Sequence, residues 1–93
     1  MSDKPTGFRT NYYMVSVAYP ERQEPYIAEC GDIIQALGMT FEEGCEFKAI
    51  WRTAAQRMGN GKPGGDAVYD AEKRVYYANR SLAWEKVRRD EKA

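Results

Sequence analysis

Histidine is missing from all 93 residues, and cysteine occurs only twice, at Cys30 and Cys45. Without histidine a Cys/His or Ser/His nucleophile is excluded, and two thiols are too few soft ligands for a zinc site. Both cysteines therefore read as small buried hydrophobes. Net charge is also missing, since 14 basic residues balance 14 acidic ones. There is thus no global field to draw in DNA, RNA or an anionic membrane. No apolar run reaches the length of a membrane span, and the opening MSDKPTGFRT lacks the apolar segment of a secretory signal. A cytoplasmic protein with no membrane partner is expected. The glycine-rich segment 59–65, GNGKPGG, does not place a lysine before serine or threonine, so a phosphate-gripping loop of the GxxxxGK[ST] type is absent.

What is there is helical periodicity. Phe47, Ile50, Trp51 and Ala54 recur at i, i+3, i+4 and i+7, the spacing of a buried helix stripe. Thr40, with Glu43 three residues on, has the form of a capping box, and Glu42 adds charge where the helix dipole favours it. The central helix is predicted over about 41–58, ending at the glycine-rich loop. Asp66 caps the next helix, predicted over about 67–89, whose Val68, Ala71, Val75, Ala78 and Leu82 form one stripe extended by Trp84 and Val87. Its end mixes Lys86, Arg88, Arg89 and Lys92 with Glu85, Asp90 and Glu91, the composition of a solvated helix terminus.

Upstream, Pro25 opens a shorter predicted helix over about 26–37, with Ile27, Cys30, Ile33, Ile34 and Leu37 on one face and Gly38 as its stop. Gly31 inside it implies close approach of another backbone. Residues 11–19 alternate as a short strand or arm rich in tyrosine, pairing with its copy in another subunit or lying across a helix. Residues 1–10 are polar and read as flexible. The fold expected is mainly α: a single domain over 1–93, with a helical core over 26–89 built on an antiparallel helix hairpin. A chain this small is near the limit of what one core supports, so a homo-oligomer is expected, with strand 11–19 as its contact.

Two groups of residues carry candidate chemistry. Lys48 and Arg52 stand one turn apart, and like charges so placed repel unless an anion serves both. With Lys73 and Arg80 from the facing helix they form a possible phosphate cradle. Trp51 and Tyr77, with Tyr69 and Tyr76, are available to stack on a base. The competing reading is internal ion pairing with Asp32, Asp70 and Glu72. The second group, Glu42, Glu43 and Glu46, has the spacing of half a magnesium site, and Asp66 and Asp70 are the nearest substitutes for the other half. It is equally the acidic first turn that any helix favours.

The run Glu29, Cys30, Asp32, then Ala36, Leu37, Gly38, then Gly44, Cys45, Lys48, Trp51, Arg52, and later Asp70, Lys73, Tyr77, Arg80 resembles the SaV-like family of small bacteriophage proteins. The resemblance covers about residues 26–82 and departs at Cys45, where the family pattern has asparagine. It implies a phage protein acting in the cytoplasm of an infected bacterium. A related region in a phage nucleotide kinase implies a nucleotide or cyclic-nucleotide ligand, held at Lys48, Arg52, Trp51, Lys73, Tyr77 and Arg80. No cofactor is implied under that reading. Magnesium at Glu42, Glu43, Glu46 and Asp70 enters only if the protein is instead a nucleotide kinase or MazG-like pyrophosphatase. A third expectation is inhibition of a host enzyme through the aromatic surface.

Overall fold

Two helices joined by the glycine loop organise the molecule. The computed structural model describes residues 11–61 and 63–92. A single 3-10 turn at Asn11–Tyr13 leads into strand β1 (Met14–Val17), followed by strand β2 (Tyr26–Glu29) and helices α1 (Cys30–Leu37), α2 (Phe41–Arg57) and α3 (Ala67–Lys92). The fold is mainly helical, with α2 and α3 packed as an antiparallel pair. The flexible stretch expected over 1–10 lies outside the described residues.

The helix ends form as their local chemistry dictates. Thr40 Oγ1 accepts from the Glu43 N–H at 3.1 Å, and the Glu43 carboxylate accepts from the Thr40 N–H at 3.0 Å, which completes the capping box. Gly38 ends α1 in the left-handed conformation (φ 63) that glycine adopts without a Cβ clash. Asp66 Oδ1 accepts from the N–H groups of Val68 and Tyr69 at 2.9 and 3.3 Å and caps α3. All three were legible in the sequence.

Other expectations are corrected. The helix expected from residue 26 starts at Cys30, because Tyr26–Glu29 is a strand. It pairs antiparallel with β1 in the register Val15↔Ala28 and Val17↔Tyr26. Tyr and Ile suit a strand, and the Val15 side gives them a ladder that a lone helical turn lacks. The partner of the tyrosine-rich segment is therefore in the same chain, and the strand covers only 14–17 of the expected 11–19. Gly31 meets nothing within 4 Å; a Cβ at Gly44 would make only ordinary contact, 3.4 Å from Ile34 Cγ2, and the tight approach is at Gly61, where a Cβ would stand 2.8 Å from Gln56 Cα.

The expected core faces also differ. On α2 the buried residues are Glu42, Gly44, Ala49 and Ala55, one edge round from the Phe47, Ile50, Trp51 and Ala54 ridge. That ridge is half-covered, with Ile50 exposed, and it lines a 230 Å³ apolar groove against Met14 and Val15. On α3 the expected stripe faces outward: Val68, Val75 and Leu82 are 67%, 62% and 53% exposed. The buried residue of α3 is Asp70. The seam between the two long helices is thus largely polar. Physically, two carboxylate–guanidinium pairs cross it, and holding Glu42 and Asp70 on the buried side turns the apolar stripe away.

Candidate functional site

Arg52 lies at the middle of α2, on the edge that faces α3. Its Nε and Nη2 donate to Asp70 Oδ1 at 3.3 and 3.0 Å, and its Nη1 donates to the Tyr13 hydroxyl at 2.9 Å. The side chains of Arg52 and Asp70 are 13% and 8% exposed. Burial works to lower the Arg52 pKa. The hydrogen bonds to Asp70 and Tyr13 outweigh it, so the guanidinium is held above its ordinary value and stays charged. Arg52 thereby ties the strand end, α2 and α3 into one unit.

Around it stand two further cations. Lys48, one turn earlier, places Nζ 5.6 Å from the centre of the Tyr13 ring. Lys73, one turn after Asp70, places Nζ 5.0 Å from the centre of the Tyr69 ring. Both are attracted by the ring faces rather than neutralised, and neither has a carboxylate partner among the described residues. Lys48, Arg52 and Lys73, with Cys45 and Tyr77, line a cleft of about 70 Å³ that no carboxylate borders. Arg52 and Lys73 also line an adjoining cleft of about 180 Å³, which continues past Asp70 to Gln56, Gly64, Gly65, Asp66 and Tyr69 at the start of α3; its two carboxylates are engaged, Asp70 by Arg52 and Asp66 by the helix cap. Gln56 Nε2 donates to the Gly65 carbonyl at 3.2 Å and holds the loop at that end.

Of the six residues expected to hold a ligand, the structure brings together Lys48, Arg52, Lys73 and Tyr77. Trp51 points instead into the apolar groove with Phe47, its ring 5.9 Å from that of Phe47. Arg80 donates to Glu42 Oε2 from Nε and Nη2 at 3.3 and 3.1 Å and packs against Tyr76. It does not border either cleft. Tyr13 belongs to the site without having been singled out for it, because a contact 39 residues apart leaves no local signal.

The two thiols differ. Cys30 is buried, and its burial pushes the thiol pKa up, an effect the nearby charges of Lys48 and Arg52 only partly offset. It is a neutral packing group, as expected. Cys45 is half-buried in the cleft wall. The neighbouring Cys45 thiol is the main cause that raises the Tyr77 pKa, so Tyr77 presents a neutral hydroxyl.

The four carboxylates of the magnesium reading are not gathered. Glu42 serves Arg80, Glu43 serves the Thr40 cap, and Asp70 serves Arg52. Glu46 shares with Glu43 a shallow cleft beside Leu37 and Met39, away from Glu42 and Asp70, which do not line it. Among the described residues no three acidic or cysteine side chains converge to hold a metal ion. Compared with known proteins, the chain matches no family model, no curated protein and no solved structure.

Proposed function

We propose that the paired clefts bind a small phosphate-bearing ligand of the nucleotide class, and that the protein holds this ligand without transforming it. The observation that carries the reading is the pair of lysines, Lys48 and Lys73. They come from facing helices, border one acid-free cleft, and have no carboxylate partner among the described residues. Two unneutralised ammonium groups at a helix seam are held there against mutual repulsion, and an anion placed between them relieves it. The smaller cleft suits one phosphate group, and the adjoining 180 Å³ cleft with Tyr69 on its wall suits a sugar and a stacking base. Both are smaller than the roughly 300 Å³ at which enclosed ligand sites begin, so the ligand lies in an open groove.

Arg52 has a different role from the one its spacing suggests. Its donors already serve Asp70 and Tyr13, so it sets a positive wall and positions the groove, while the lysines supply the mobile charge. The resemblance to small phage proteins adds the biological half of the proposal, in which a phage product sequesters a nucleotide signal of its bacterial host. Among the described residues no three metal-ligating side chains converge beside the groove, and holding rather than turnover is the reading proposed.

The test is calorimetric titration with nucleoside mono-, di- and triphosphates and cyclic nucleotides, with and without magnesium, on the native chain and on the double variant Lys48→Ala/Lys73→Ala. Each charge-assisted contact contributes about 1.5 kcal/mol or more, so the double variant is expected to bind at least about a hundredfold more weakly with unchanged helix content. Equal binding by both proteins overturns the groove. Magnesium-dependent release of phosphate from a bound nucleotide replaces holding by catalysis, and silence across the panel directs the search to a host protein at the aromatic surface.

A further inference from the structure

We propose that two copies of this chain pair antiparallel through the outward face of α3, with Val68, Ala71, Val75, Ala78 and Leu82 as the seam. These residues are separated by 3, 4, 3 and 4 positions, the repeat that keeps one helix edge facing a partner helix. α2 packs on the opposite edge, the one that carries Asp70 and Tyr77. The stripe is thus preformed, apolar and, among the described residues, unpartnered, and pairing does not have to meet the cost of nucleating a helix.

The occupant is argued from size and from shape. The chain presents 7236 Å² of accessible surface, whereas a monomer of 10.7 kDa is expected to present about 5,500 Å². The excess is more than the roughly 800 Å² that each partner contributes to a standard interface. Its radius of gyration of 15.9 Å likewise exceeds the approximately 12 Å of a compact chain this long.

The shape of the seam selects the second copy and its direction. Large residues (Val68, Val75, Leu82) alternate with small ones (Ala71, Ala78). In an antiparallel pair centred between residues 76 and 77, Val75 faces the partner's Ala78, and Leu82 faces the partner's Ala71. Every central layer then sets a large side chain into the space above an alanine, and the two-fold axis repeats each contact. A parallel pair would set alanine against alanine in two layers and leave gaps there. The seam ends at Glu85, whose carboxylate is held by Arg88 at 2.6 Å. Lys73 lies about 160° round the helix from Val75 by the 100° step of an α-helix, so the dimer leaves the lysine groove open. The inference stands whether or not that groove binds a nucleotide.

Sedimentation and light scattering of the native chain test it together with Val75→Glu and Leu82→Glu, two exposed positions where a charge is expected to leave the monomer fold intact, as circular dichroism would show. The native chain is expected to be dimeric at about 100 µM, and each variant monomeric, a weakening of at least about a hundredfold. A native monomer, or a dimer that survives both variants, overturns the proposal. The direction is read with a spin label on Lys92→Cys in a Cys45→Ser background. The antiparallel seam places the two labels about 45 Å apart along the axis at 1.5 Å per residue. A separation near 10 Å, one helix-to-helix spacing, refutes the antiparallel register.

Discussion

The residue on which most depends is Arg52, because it serves as structural tie and as wall of the cleft at once. Its partner Asp70 is more buried than any other acidic side chain that forms an ion pair here. Removing that charge leaves the guanidinium partly desolvated opposite a neutral group, which costs more than the pair itself contributes. Asp70→Asn is expected to destabilise the fold by about 2 kcal/mol in urea unfolding. Glu42→Gln, at the pair whose Arg80 is 47% exposed, is expected to cost less than about 1 kcal/mol. Equal losses at the two sites would show that solvent screens Arg52 as well as it screens Arg80. The same contrast explains why Lys48 and Lys73, rather than Arg52, test the ligand groove: their removal breaks no ion pair.

At the scale of elements, the capped ends of the helices were legible in the sequence, whereas the start of α1 and the inner faces were not. Thr40 with Glu43, Gly38 and Asp66 act over three or four residues, so their chemistry is complete within a short window. Which edge of α3 turns inward is decided by Arg52–Asp70 and Glu42–Arg80, partners 18 and 38 residues apart. Periodicity reports only that an apolar stripe exists, and it assigned Val68, Val75 and Leu82 to a core they do not enter. Likewise the helix start expected at residue 26 gives way to a strand over Tyr26–Glu29, because its pairing with Met14–Val17 is a contact that helical periodicity does not report. For the site, the cations were visible at their helical spacing, whereas Tyr13 and the turning away of Trp51 and Arg80 depended on packing. The cap is the element most open to measurement. Thr40→Ala removes the acceptor for the Glu43 N–H and frees the Glu43 side chain, and it is expected to lower stability by about 1 kcal/mol. Thr40→Ser keeps the oxygen and should restore nearly all of it, a rescue that a loss of mere side-chain packing would not give.

For the whole molecule the governing fact is how little apolar surface it covers by itself. Among the described residues the buried apolar ones are Ala28, Cys30, Ala49 and Ala55, while fourteen large apolar side chains stay 43% exposed or more. Four small residues make a thin core for a domain in which backbone ordering alone costs about 1 kcal/mol or more per residue. If further burial is supplied by a second copy along α3, association is linked to folding, and stability depends on concentration by mass action. Each tenfold rise in protein adds about 1.4 kcal/mol per dimer, and spread over the unfolding entropy of two chains this raises the melting temperature by about 3–4 °C. Scanning calorimetry over a hundredfold range of concentration should therefore show a rise of about 7 °C in the native chain. Val75→Glu should melt lower and at one temperature throughout. A native melting point independent of concentration would mean that the exposed stripe contributes nothing to the folded state, and that the polar seam between α2 and α3 carries the fold alone.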